Sequence, residues 1–300
     1  MVCPHDGCGY DQAYVYKDGI RYKCKCCQRV YTAKTGTFME ASKLSSIKWF
    51  MAIYLVLHKK GISSIQLSKD IGVQQRTAWF MLHRLRAALG NVVEVELSGT
   101  VQLDETFVGG KNKNRHADKK VKNNQGRAFI DKTPVMGMLQ QEVSIIVERP
   151  NKVQPHKIVK EKVVIDPSHL ICHVVANTQA ATLQPIIRNA VKTGSILVSD
   201  EWTAYNGLSN VYTHAVVDRA AKNYVTDDGM TSNALEGSWA LLKRSIIGIY
   251  HQTSRKHLHR YVSEFTFRYN NRTLKPQPQF DCVIANMECR LKYKDLVAKA

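Results

Sequence analysis

Apolar residues recur along this chain at two different periods, and the switches between them divide it into blocks. From residue 43 to 90 the spacing is helical. Ile47, Phe50, Met51, Tyr54 and Leu55 form one stripe, and Ala78, Met81, Leu82, Leu85 and Leu89 form another. Between them a short helix from Ser63 to Asp70 is broken by Gly72. Helix, glycine-containing turn and helix is the helix-turn-helix pattern. It puts Gln74, Gln75 and Arg76 at the start of a recognition helix, where side chains reach bases. A plain helical bundle would show the same periodicity.

The period changes to two at residue 101. Val101, Leu103 and Phe107 share one face of the predicted strand, and Gln102, Asp104 and Thr106 share the other; Gly109 and Gly110 end it. Further strands are predicted at 134–139, 143–147 and 169–175, followed by a helix over 181–191. Residues 195–202, SILVSDEW, are apolar until Asp200 at the carboxyl end, and a strand near 214–217 follows. Helical spacing returns at 231–261, where Leu235, Trp239, Leu242, Ile246 and Ile249 make an apolar stripe. Asn233, Glu236, Ala240 and Lys243 lie on a neighbouring stripe, because positions three, four and seven apart share a helix face. A last helix is predicted over 256–271. The blocks suggest units at 1–38, 43–90 and 98–275, with 276–300 as a C-terminal tail.

Three hundred residues are more than one ordinary domain needs, and 44% hydrophobic residues suffice for a sizeable core. Charge changes the picture more. A formal net charge of +18 makes a polyanion the expected partner, through attraction and counterion release. Part of that charge is concentrated after the strand at 101, where Lys111, Lys113 and Arg115 open a basic loop reaching to Arg127. The loop reads as a phosphate-backbone contact, with a merely solvated segment as the plainer alternative. Arg244, next to Lys243, belongs to the same basic setting. Cys3, His5 and Asp6 stand where a signal peptide would have its apolar core, and the apolar run 49–57 is too short to span a membrane. A cytoplasmic protein is expected.

Five of the eight cysteines fall within the first 27 residues. In a reducing compartment that clustering argues for metal rather than disulfides. C-x4-C (Cys3, Cys8) and C-x2-C (Cys24, Cys27) can converge on one tetrahedral Zn2+ as a zinc ribbon. Cys26 competes with Cys24 or Cys27, and His5 with Cys3.

Asp104 on a first strand, Asp200 at the end of a later buried strand and Glu236 on a following helix have the layout of an RNase H-like fold. In that fold hard oxygen ligands hold two Mg2+ ions against a scissile phosphate. Two like charges ~4 Å apart repel by about 4 kcal/mol at an effective dielectric near 20, so converging acids call for a cation. Singly, each acid has a plainer reading: a strand-end turn former, a helix N-cap and a surface helix acid.

These residues sit in a sequence that resembles bacterial insertion-sequence transposases of the DDE class, in the ISXO-two-like family. The likeness runs from residue 1 to about 275. It covers CPHDGC…RYKCKCC, TGTFMEASKLSSIKW, GVQQRTAWFMLHRLR, LDETFVGGKNKNRH, VSDEWTAYNGL and NALEGSWALLKRSIIGIYHQTSRKHLHRYVSEFTFRYNNR. The C-x4-C first pair and Cys26 depart from the family's ribbon.

The resemblance implies an α/β, RNase H-like mixed sheet with flanking helices, preceded by a zinc ribbon and a helix-turn-helix. Its catalytic set falls on Asp104, Asp200, Glu236 and Lys243; Asn233 competes for the third position, and the seven-residue step to Lys243 favours Glu236. The implied cofactors are two Mg2+ ions, with Mn2+ able to replace them, beside the structural Zn2+. The implied reaction is phosphodiester cleavage by water and then joining by a DNA 3′ hydroxyl, without a covalent protein–DNA intermediate. The implied partners are double-stranded transposon ends and target DNA, with at least a dimer on DNA and a nucleoid-associated location. A regulator that binds the terminal repeats without cutting is the rival reading, and the intact acids and Lys243 argue against it.

Overall fold

In the computed structural model the chain begins with a small antiparallel sheet of three strands, β1 (Ala13–Val15), β2 (Tyr22–Cys24) and β3 (Val30–Tyr31). Its core is small: Cys3, Cys24 and Tyr31, with Cys8, Ala13, Tyr22 and Cys27 against them. The structure describes residues 2–58, 60–91, 95–109, 132–151, 153–154, 156–217 and 233–298. Lys111, Lys113 and Arg115, expected in a DNA-contacting loop, lie outside the described residues.

Helices α1 (Ser46–His58), α2 (Ser64–Ile71) and α3 (Gln75–Leu89) follow. The Ser63 hydroxyl caps α2 by accepting the Gln66 N–H at 3.1 Å, satisfying one of the orphan donors of the first turn. Gly72 ends α2 in the left-handed region (φ 61°, ψ 58°), which a residue without Cβ adopts at no steric cost. That single residue turns the chain from α2 into α3.

Strand β4 (Thr100–Val108) starts a second architecture with β5 (Thr133–Gln140), β6 (Val143–Pro150), β7 (Ile158–Asp166), β8 (His169–Val174), helix α4 (Ala180–Ala190), β9 (Ile196–Ser199) and β10 (Thr213–Val216). Helix α5 (Asn233–Ser245) runs into a π-helical turn over Ile246–Tyr250, and α6 (Leu258–Asn270) follows. The main sheet has the order β10-β9-β4-β5-β8. β4 pairs antiparallel with β5, and β5 with β8, while β4–β9 and β9–β10 are parallel. An antiparallel meander joined edge-on to two parallel strands is the RNase H-like mixed sheet. β6 and β7 form a separate two-stranded ribbon.

Alternation along β4 decides the layering. Val101 and Leu103 face the cluster built with Leu183 and Ile187 of α4. The other face of the sheet, with Val108, Val135, Leu139 and Leu170, packs against Leu235, Trp239 and Leu242 of α5 and against Val262 and Phe265 of α6. At the outer edge of β8, Asn270 accepts the Leu170 N–H at 2.8 Å and donates to the Leu170 carbonyl at 2.9 Å, standing in locally for a neighbouring strand.

The chain divides into two compact units, residues 93–272 and residues 1–92 with 273–300. The segment expected to be a tail therefore folds. Its helices α7 (Pro276–Ala285) and α8 (Tyr293–Val297) belong to the unit that begins the chain, residues 1–92 with 273–300, where Phe280 packs edge-on to Phe50 and Tyr293 to Phe80. Buried Arg84 ties it further, donating to the carbonyls of Leu291 and Glu40. Among the described residues no helix is long and apolar enough to cross a membrane.

Candidate active site

β4 carries its polar face towards α5, and a cavity of about 480 Å³ opens at that junction. Asp104, Asp200, Glu236 and Lys243 all line it, with Trp239 and Ala240 between the last two. Each reaches the cavity for a local reason. Asp104 is in the middle of β4, 9% exposed, on the same face as Gln102 and Thr106. Asp200 is the first residue beyond β9, half-buried, where a fully apolar strand meets solvent. Glu236 and Lys243, both exposed, are two turns apart on α5 and so lie on one stripe.

Hydrogen bonds fix the framework around these groups. The Trp239 indole Nε1–H donates to Asp104 Oδ2 at 3.1 Å, and the Leu235 N–H donates to Gln102 Oε1 at 2.9 Å. Asp200 Oδ1 accepts the Trp202 N–H at 3.2 Å, an Asx-type turn before the short helix at 203–205, whose N-cap is Trp202 and not Asp200. The Ser199 hydroxyl donates to the Asp200 carbonyl at 2.9 Å and lies 2.8 Å from His214 Nε2. Burial lowers the His214 pKa, favouring the neutral ring. On the other face of β4, Tyr205 donates to Glu105 Oε1 at 2.5 Å; burial first, and then the Glu105 carboxylate, push that phenol well above its usual range. Trp202 and Tyr205 both pack into the α4-side core, and Trp202 donates to the Thr178 carbonyl.

Asn233, the competitor of Glu236, is the exposed first residue of α5 and is not on the cavity lining. Arg244 is exposed and donates to the Ala240 carbonyl of its own helix. Gln74, Gln75 and Arg76 are exposed at the start of α3, with Gln75 donating to Ser64 Oγ.

Oxygen donors of this kind suit Mg2+, and the acids share one cavity. They do not draw together as tightly as the thiols of the ribbon. Among the described residues, Cys3, Cys8, Cys24 and Cys27 are the group whose ligand atoms all lie within 4.8 Å of one another. Ligands to two ions about 3.5–4 Å apart span more space than ligands to one, so a looser set of acids remains compatible with a two-ion centre.

In the ribbon, Cys3 Sγ lies 3.6 Å from Cys27 Sγ, and Cys8 Sγ 3.6 Å from Cys24 Sγ. Four sulfurs roughly 2.3 Å from a tetrahedral zinc stand about 3.8 Å apart, so the quartet fits that ion. His5 and exposed Cys26 are outside the group. Burial pushes the Cys3 thiol up to about 12, whereas the Arg29 backbone N–H brings Cys27 down to about 6.

Three of the residues that build this site carry no chemistry of their own to advertise them: Gln102, Gly137 and Trp239. Gln102 could have been singled out by its place two residues before Asp104, and Gly137 as a glycine inside an apolar strand.

The family described as ISXO2-like transposase domain matches residues 96–270, more than half of the chain. An uncharacterized protein in transposable element ISH50 of Halobacterium salinarum is 34% identical over 103 residues, 34% of either chain. An uncharacterized transposase-like protein of Haemophilus influenzae is 30% identical over 105 residues, 35% of this chain and 83% of that one. Among solved structures, a pre-cleavage Mos1 transpososome is 13% identical over 79% of this chain and 78% of that one, with a TM-score of 0.25. A Mos1 paired-end complex with the left transposon end gives 12%, 80%, 78% and 0.26. Superpositions this loose add nothing to the strand order. The family match over the sheet and its helices does: the chain belongs to the ISXO2-like transposase domain family.

Proposed function

We propose that this transposase-family chain is a DDE-type enzyme that binds the terminal inverted repeats of an insertion sequence and catalyses their cleavage and strand transfer. The observation that carries the reading is the meeting of Asp104, Asp200, Glu236 and Lys243 on one cavity. Asp104, Asp200 and Glu236 would hold two Mg2+ ions, with Mn2+ a substitute. Those ions, when bound, polarise phosphoryl oxygens and favour the deprotonated nucleophile.

The chain's own residues do the positioning. Lys243 neutralises a non-bridging phosphate oxygen beside the acids, as a mobile point charge on a flexible stem. In the first step a water oxygen attacks phosphorus in line, the P–O3′ bond breaks, and the departing oxygen takes a proton to leave a 3′ hydroxyl. In the second step that hydroxyl attacks a target phosphodiester, and the target's own 3′ oxygen leaves. No bond to the protein forms in either step. Asn233 stands one turn from Glu236 and is the alternative third ligand.

The Cys3, Cys8, Cys24 and Cys27 thiolates hold a structural Zn2+ in the ribbon. The ribbon and the first turn of α3, with Gln74, Gln75 and Arg76, grip the repeat, while Lys111, Lys113, Arg115 and Arg244 meet the DNA backbone. Joining two ends calls for at least two copies on DNA. The test is to incubate the chain with end-containing DNA and Mg2+. Released 3′ hydroxyl ends and strand-transfer products support the reading; a gel shift with no product under Mg2+ or Mn2+ would instead indicate a non-catalytic DNA-binding regulator.

A further inference from the structure

Trp239 is where β4, β5 and α5 come together. Its ring is 4% exposed, and its indole N–H is given to Asp104 Oδ2. The ring fits there because of Gly137, the residue paired with Asp104 across the β4–β5 ladder. A Cβ on Gly137 would stand 2.5 Å from both Cη2 and Cζ2 of Trp239, far inside van der Waals contact. Glycine inside a strand weakens it and marks the close approach of another group; here that group is an indole. One helical turn earlier, Gln102 takes the Leu235 N–H. Two β4 side chains, two residues apart, thus hold α5 on either side of Glu236.

We infer that Trp239 is a positioning residue for Asp104, and that Gly137 is the space that admits its ring. The inference rests on the reading of Asp104 as a metal-holding carboxylate. A carboxylate's two oxygens offer about four lone-pair sites, so accepting the indole proton and ligating a cation are compatible. The packed indole fixes the carboxylate plane before a cation arrives, and losing such an outer partner weakens metal binding about 10- to 100-fold. A tryptophan that only fills space would behave differently. Removing its N–H while keeping its volume would alter neither metal affinity nor the dependence on Asp104.

The full chain is titrated with Mn2+, free ion being read by electron paramagnetic resonance, beside cleavage of end-containing DNA and a urea midpoint. The variants are Trp239→Phe, replacement of Trp239 by 3-benzothienylalanine (bicyclic, without the N–H), Gly137→Ala, Asp104→Asn and Trp239→Phe/Asp104→Asn. The expected result is Mn2+ binding weakened about 10- to 100-fold by benzothienylalanine and by Gly137→Ala, with no further loss when Trp239→Phe is added to Asp104→Asn. If Trp239→Phe fails to fold, the benzothienylalanine chain alone decides. Unchanged Mn2+ affinity in that chain, with Asp104→Asn still abolishing binding, overturns the inference and leaves the site intact. Parental Mn2+ binding and cleavage in Asp104→Asn overturn both.

Discussion

Gln102 Oε1 accepts the backbone N–H of Leu235 at 2.9 Å, across 133 positions of sequence, with Gln102 only 1% exposed. The first turn of any helix has N–H groups without intrahelical partners, and one that is buried must find an acceptor. Here the acceptor comes from the strand that carries Asp104 two residues on. The helix bearing Glu236 is therefore seated on the strand bearing the first acid.

Changing Gln102 to Leu keeps the volume and leaves the Leu235 N–H without its acceptor. The expected cost is about 1–3 kcal/mol of stability, read from the urea midpoint, with slower DNA cleavage because Glu236 adjoins the loosened turn. A Gln102→Leu chain with parental midpoint and rate would show that the bond does not seat the helix.

His214 gives a pH dependence of definite sign. Burial lowers its pKa, so the folded chain takes a proton less readily than the unfolded one. Well above about pH 6.5 the ring is neutral in both states and contributes no slope. As pH falls from there towards the lowered folded value, the unfolded state binds the proton first and stability declines. Urea midpoints between about pH 7.5 and pH 5.5 should fall less for His214→Asn than for the parent chain; parallel declines would leave His214 no part in the pH dependence.

Zinc removal should act locally. The ribbon core is three buried residues with the cysteines at its centre, too little apolar surface to persist alone. Chelation, or Cys24→Ser, is expected to open residues 2–31 to proteases, with the 93–272 sheet unit retaining its circular dichroism and protection. Undiminished protection of the ribbon after the metal is stripped would contradict a structural ion.

Salt dependence tests the basic segment that follows β4. Replacing Lys111, Lys113 and Arg115 together by neutral residues should flatten log K against log salt by about 0.9 for each duplex phosphate that these side chains neutralise. A slope equal to the parent's would make these charges a solvated stretch.

Much of the sheet unit is legible in the sequence because its periods are clean. Two-residue alternation puts Gln102 and Asp104 on one face, the apolar run before Asp200 marks a buried strand, and the seven-residue step joins Glu236 to Lys243. What escapes does so for physical reasons. β7 has no alternation to read, because most of its residues are exposed and Lys160, Glu161 and Lys162 interrupt it. The helical stripe over Ile246 and Ile249 reads as continuous, but a π turn shifts the phase there. The helices at 276–297 have little apolar periodicity, and their partners, Phe50 and Phe80, are some two hundred residues away. Trp239 reads as core, and core it is, but its N–H partner is set by register between β4 and α5, which no local pattern encodes.

The central claim is that the acids act as one centre. Single-turnover cleavage of end-containing DNA with Mg2+ should be measured for Asp104→Asn, Asp200→Asn, Glu236→Gln and Asn233→Ala, with DNA binding followed in parallel. The expected result is cleavage at background for the first three with binding retained, and near-parental cleavage for Asn233→Ala. Parental cleavage by any of the three acid variants would contradict it.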